Sequence, residues 1–211
     1  MKAKRRNQIL IGGGLVFSIF FSVHGDGLCG PCDPLKNCNP ILKSGDLFPP
    51  TSFSNFLAMD EKRYLGVDAK AVFSMGDIQA EVLVIKVLNT NCVYCIKSLP
   101  VFKEVFEAIT RDPSLTKRIK MMAIGAGDTP TEVAVFKEQH AVPYPIIPDT
   151  EFIAHKAIGE PSVPFIVVTR RDSQGKWVVA TVHVGLTFSA DSFIGELKAI
   201  LEIDPDTLKK N

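Results

Sequence analysis

EVLVIKVLNTNCVYCIKSLP, residues 81–100, is the stretch on which the fold turns. Residues 81–88 are almost continuously apolar or β-branched, a composition that suits a parallel strand buried on both faces. Asn89-Thr90-Asn91 ends the run. Behind it Ile96, Leu99, Phe102, Phe106 and Ile109 recur at three- and four-residue steps, the apolar stripe of a helix. Cys92 and Cys95 therefore stand where a buried strand hands over to a helix.

The same alternation extends outward. RYLGV (63–67) and AVFSM (71–75), separated by Asp68-Ala69-Lys70, read as a short hairpin ahead of the strand. IKMMAIGAG (119–127) is a second strand, and Thr129-Pro130-Thr131-Glu132 opens a helix with an N-cap, a proline and the acid of a capping box. YPIIPD is a short strand, and Asp149 can cap the helix TEFIAHKAIG, which stops at Gly159. PFIVVTRR and KWVVATVHVG, joined by the turn Asp172-Ser-Gln-Gly175, form an antiparallel pair. A last helix starts at Ser189 and places Phe193, Leu197, Ile200 and Leu201 on one face. Strands alternating with helices predict an α/β fold, a parallel or mixed sheet covered on both faces with its site at the carboxyl ends of the strands.

Thiol chemistry explains why two cysteines would stand there. The thiolate is the attacking species, and a free cysteine with a pKa of about 8.5 is mostly protonated at neutral pH. Unpaired N–H groups and the positive end of the dipole at a helix start favour the thiolate. A second cysteine one turn deeper can attack the mixed disulfide and release the substrate. Half of a zinc site and an inert structural disulfide are the alternatives. Zinc needs four ligands, and His140, His155 and His183 show no paired spacing.

With these residues in place, the segment AVFSMGDIQAEVLVIKVLNTNCVYCIKSLPVFKEV resembles the core of the thioredoxin superfamily, closest to the exported TlpA-like redoxins. Pro100 is similar to the family's helix-kinking proline, Val163-Pro164 to its cis-proline loop and Gly185 to its closing glycine. YPIIPDTEFIAHKAIG resembles the strand-helix insertion of redoxins. The resemblance implies a thioredoxin-like domain over residues 51–203, followed by a tail at 204–211. It implies a thiol-disulfide oxidoreductase that exchanges disulfides with protein substrates and a redox partner protein through Cys92 and Cys95. The only prosthetic element would be that redox-active disulfide, with no bound cofactor or metal. Among redoxins of this kind reductases predominate, so the resemblance leans toward reduction, although Val93-Tyr94 between the cysteines supplies neither a cation nor a proline to fix the direction.

Departures from the family pattern mark the tuning positions. Asn91 stands where an aromatic residue commonly precedes the first cysteine. Lys86 stands where thioredoxin has a buried acid; its stem is expected to pack while its ammonium snorkels to solvent, and the alternative is that its charge stabilises a thiolate. Tyr94 lies between the cysteines, and Glu160, four residues before Pro164, is a candidate proton relay. Two rivals share the fold. A peroxiredoxin needs a threonine three residues before its nucleophile, whereas Thr90 is two before Cys92, and a Sco-type copper chaperone would need a distant histidine such as His183.

The chain has 211 residues, 46% of them hydrophobic and 22% charged, enough for one well-cored domain. Residues 1–25 carry Lys2, Lys4, Arg5 and Arg6 and no acid, then an apolar run from Ile9 to Val23. That order suits a signal peptide cleaved before Asp26, or an uncleaved membrane anchor that would be the chain's one membrane contact, and the protein is expected outside the cytoplasm, in the periplasm, secreted or anchored by this segment. Without them 20 basic side chains face 23 acidic ones, which leaves no basic stripe for nucleic acid. Residues 26–50 read as an irregular Cys- and Pro-rich lead-in. Cys29-Gly-Pro-Cys32 there has the letters of a redox motif but neither a strand before it nor a periodic helix after it. Cys29, Cys32 and Cys38 are expected to form a local disulfide with one thiol left over, or a secondary redox or metal trio.

Overall fold

The computed structural model describes residues 40–209. Cys29, Cys32 and Cys38 and the cationic segment 1–25 fall outside the described residues.

Among the described residues seven strands and six α-helices follow one another. Strand β1 (Ser52–Ser54), helix α1 (Met59–Leu65) and strand β2 (Val72–Ser74) come first. Strand β3 (Val82–Leu88) leads into α2 (Val93–Lys97) and α3 (Leu99–Arg111). Then come β4 (Ile119–Ala126), α4 (Pro130–His140), β5 (Ile146–Asp149), α5 (Ile153–Ala157), β6 (Phe165–Arg171), β7 (Trp177–Val184) and α6 (Ala190–Glu202). The main sheet has the order β5-β4-β3-β6-β7; β3 pairs parallel with β4 and antiparallel with β6. This is the mixed α/β sheet that the sequence predicts.

All seven residues of β3 are buried, and their alternation divides the core. Val82, Val84 and Leu88 face a cluster with Phe102, Val105 and Ile109 of α3 and Phe193 and Leu197 of α6. Leu83, Ile85 and Val87 face the other cluster, with Leu65, Phe73, Ala154 and Trp177. A central strand with one apolar set on each side is what a two-sided cover requires.

The N-terminal part differs from the expected hairpin. Antiparallel β1 and β2 form a small sheet, but β2 pairs with Ser52–Ser54, and Arg63, Tyr64 and Leu65 belong to α1. Acids open that helix, Glu61 accepts the Ala58 N–H, and Gly66 closes it at φ +75°. The folded body also begins before Thr51. Leu42 and Phe48 are buried, Leu47 bridges to Val178, and Gly45 and Phe48 donate backbone hydrogen bonds to β7. The end of the lead-in thus covers an edge strand.

The predicted caps hold. Thr129 and Glu132 form a reciprocal capping box on α4. Asp149 accepts from the N–H groups of Ala154 and His155 at 3.1 and 2.9 Å, so it caps α5 from five residues away. At the C-terminal end Lys209 pairs with Asp172 of the β6–β7 turn at 2.9 Å. No helix among the described residues is long and apolar enough to cross a membrane.

Candidate active site

The carboxyl end of β3 delivers the two cysteines. Cys92 is the N-cap of α2, and its sulfur accepts the Cys95 N–H at 3.3 Å. Cys95 lies one turn deeper and is fully buried, while Cys92 is partly exposed, both as thiols. The helix does not end at Lys97. Ser98 keeps helical dihedrals, its N–H bonds to the Tyr94 carbonyl, and its own carbonyl accepts from Phe102. Pro100 has no N–H to give, so the rod is broken into α2 and α3 at this point.

Across from Cys92 lies the Val163-Pro164 peptide, which is cis. The Cys92 thiol donates to the Val163 carbonyl at 3.7 Å. The Gly185 N–H donates to the Pro164 carbonyl at 2.8 Å, and the φ of +74° at Gly185 is one that a side chain would oppose. Tyr94, Lys97, Val163, Pro164, Val184 and Leu186 line a groove of about 290 Å³ that shares Val163 with the Cys92 contact. Tyr94 is 72% exposed and Val184 64%, so the groove has an apolar, open rim.

Two features of the site were not read in the sequence. Asp128, buried after β4, accepts from the Thr90 N–H, the Thr90 hydroxyl and the Asn89 side-chain amide, all at 2.8–3.2 Å. It therefore ties down the loop that presents Cys92. Burial raises its pKa, with the Thr90 hydrogen bonds acting in the opposite sense. The signal available in the sequence was only a lone acid after a strand. The second is Ser98, buried under the cysteines, whose hydroxyl donates to the Cys95 carbonyl at 2.6 Å.

Lys86 corrects an expectation. Its ammonium does not snorkel: the residue is completely buried, donates to Ser98 Oγ at 2.8 Å and the Cys95 carbonyl at 3.4 Å, and lies 4.2 Å from the centre of the Phe102 ring. Mid-strand in a central strand, beneath α2 and α3, its stem cannot reach water. Burial lowers its pKa to about 8, and the nearby Cys95 and Cys92 act to raise it. The Cys95 thiol is pushed up to about 12, first by burial and then by Cys92.

No family model matches the sequence, and no curated protein does. Solved structures match in fold. The thioredoxin domain of a thiol-disulfide oxidoreductase from Bacteroides vulgatus has a TM-score of 0.55 at 9% identity, over 76% of this chain and 99% of its own. A candidate thiol:disulfide interchange protein DsbE from Chlorobium tepidum gives 0.51 at 16%, over 76% and 96%. AhpC of Mycobacterium bovis gives 0.57 at 13%, over 78% and 100%. This chain has the thioredoxin fold. The cysteine pair, the cis Val163-Pro164 peptide and Gly185 of this thioredoxin fold meet at one end of the sheet, as their order in the sequence implies. Tyr94 joins them at the groove, with the Lys97 ammonium 5.7 Å from its ring centre. Glu160 is an exposed residue at φ +52° past α5, and among the described residues no hydrogen bond joins its carboxylate to the cysteines. His183 is engaged elsewhere on this thioredoxin fold: it pairs with Glu196 at 3.1 Å and packs edge-on against Phe188 and Phe193.

Proposed function

We propose that the protein is a thiol-disulfide oxidoreductase that exchanges disulfides with protein substrates through Cys92 and Cys95. The observation that carries this reading is the Cys92 sulfur, which caps α2, accepts the Cys95 N–H and sits against the carbonyl of Val163, a residue that also lines an open apolar groove. An exposed groove of this kind suits an extended polypeptide better than an enclosed small molecule.

When the pair works as a reductant, the Cys92 thiolate attacks one sulfur of a substrate disulfide. A Cys92–substrate bond forms and the other substrate sulfur leaves as a thiolate that takes a proton from water. Cys95 then loses its proton and attacks the Cys92 sulfur, so the Cys92–Cys95 disulfide forms and the second substrate thiol departs. Oxidation of a dithiol is the same path reversed. The burial of Cys95 favours Cys92 as the sulfur that meets the substrate.

The cationic and apolar order of residues 1–25 supports action outside the cytoplasm, where substrate disulfides persist. A peroxidase reading gains little from Thr90, whose hydroxyl is given to Asp128 at 2.8 Å. The test is exchange with a model protein disulfide such as insulin, or with glutathione. Cys92→Ser is expected to lose at least 99% of the rate, and Cys29→Ser to keep it; full activity in Cys92→Ser contradicts the assignment of the site.

A further inference from the structure

Lys86 is a charged side chain inside a central strand, and among the described residues no opposite charge lies beside it. Its hydrogen-bond partners are a hydroxyl and a carbonyl, and its third neighbour is the Phe102 ring. Its register neighbours are Ala123 on β4 and Ile166 on β6, both apolar. The titratable groups that bear on it from α2 are Cys92 and Cys95. Tyr144, buried before β5, is a neutral phenol close enough to Cys95 to feel a thiolate there. His183, one strand beyond Ile166 in the same row, and Glu196 of α6 are paired with each other.

An ammonium taken out of water is costly unless an anion accompanies it. In the disulfide form both sulfurs are neutral and Lys86 is alone. In the dithiol form either sulfur can ionise, and a thiolate there interacts favourably with the Lys86 ammonium. We infer that Lys86 stabilises the reduced form of the Cys92–Cys95 pair and so makes its disulfide an acceptor of electrons from substrate dithiols. The inference rests on the exchange function proposed above and sets its direction opposite to the reductase that the family resemblance suggests. A stabilised reduced form is what makes a disulfide strongly oxidising.

The oxidation balances as follows. A substrate thiolate attacks the Cys92 sulfur; the Cys92–Cys95 bond breaks, and Cys95 leaves beside Lys86 and takes a proton. The second substrate thiolate attacks the substrate sulfur of the mixed disulfide and releases the Cys92 thiolate. Two substrate thiols have become one disulfide, and two electrons reside on the cysteine pair. Of the two protons, one is on Cys95; the other goes to the Lys86 amine where that is neutral, or to water where it is already charged. The lowered Lys86 pKa, due to burial, and the opposing pull of Cys95 and Cys92 agree with this coupling. Lys86 acts through the charge on the sulfurs and is a positioning residue.

The test uses the full-length chain with Cys29→Ser, Cys32→Ser and Cys38→Ser, so that Cys92 and Cys95 are the remaining thiols. The protein is equilibrated with reduced and oxidised glutathione at pH 7, quenched by alkylation and read by mass. Lys86→Met is expected to lower the equilibrium constant for oxidation of glutathione about tenfold, which is about 30 mV toward reducing. Lys86→Arg, which keeps the charge, is expected to stay within about threefold of the parent. A Lys86→Met constant within twofold of the parent overturns the inference. If Lys86→Met lacks the parent far-UV spectrum, Lys86→Gln takes its place, and the parent alone gives a second reading: its reduced form is expected to melt above its oxidised form, and the reverse order overturns the inference. A parent pair that exchanges with glutathione while the lysine has no effect defeats only the lysine's role. A parent that does not exchange at all defeats the proposed function and this inference with it.

Discussion

At the scale of single residues the site depends on two buried charged side chains that the sequence presents without comment. Lys86 was legible as a departure from the family's acid, but its burial was not, because a lysine stem usually finds water and only the tertiary cover of α2 and α3 denies it here. Asp128 was not legible at all, since its partners Asn89 and Thr90 are some 38 positions away and meet it only because β3 and β4 run parallel side by side. Gly125 leaves room for it: a Cβ there would come within 2.8 Å of the Asp128 carboxylate. Loss of the carboxylate in Asp128→Ala leaves up to three donors unmet and is expected to cost about 1–3 kcal/mol. Asp128→Asn isolates the titration. Burial holds the folded-state pKa of Asp128 above its unfolded value, so folding favours the protonated acid. Its stabilising contribution is complete below the unfolded pKa of about 3.9 and is lost as pH rises through the folded value. Urea unfolding of both proteins from pH 3 to 7 is expected to show the parent losing stability relative to Asp128→Asn across that window; a flat difference counts against a raised pKa.

Elements with strong periodicity or explicit caps could be read directly. Strand β3, the α4 capping box, the β6–β7 turn and the Ser189 cap on α6 each carry their physics in adjacent letters. Two cases show where local pattern fails. The stripe from Ile96 to Ile109 predicts one helix, and Ser98 with Pro100 divides it; Val105 takes the buried place beside Phe102, while Phe106 moves to the flank against Tyr64 and Tyr144. RYLGV alternates like a strand over five residues, too few to outweigh a helix that starts at Met59 with acids first and ends in a glycine C-cap. The true strand partner of Val72–Ser74, Ser52–Ser54, is too short and polar to announce itself. Gly66 is the check on this element. A Cβ at that position meets only ordinary contacts, from Gln79 at 3.5 Å, so the penalty of Gly66→Ala comes from φ +75° alone. We expect a loss of about 1 kcal/mol in thermal or denaturant unfolding; an unchanged or higher stability means that α1 does not end in the left-handed cap.

For the whole molecule, alternating strands and helices were enough to predict a parallel or mixed sheet, and the handover from strand to helix at Cys92 placed the cysteines at its carboxyl end. Docking of Gly45, Leu47 and Phe48 onto the edge of β7 was beyond reach, because an irregular segment gives no sign of which strand it will cover. In the proposed exchange, sheet, kinked helix and cis-proline loop converge so that Cys92 meets a substrate sulfur while Cys95 waits beneath it. Cys95→Ser removes the resolving thiol and is expected to hold the intermediate. Full-length chain with Cys29→Ser, Cys32→Ser, Cys38→Ser and Cys95→Ser, mixed with a disulfide-bonded protein, should accumulate a covalent adduct that dithiothreitol releases and that peptide mass mapping places on Cys92. An adduct of equal yield when Cys92→Ser is added, or none at all in the presence of Cys92, would contradict the account.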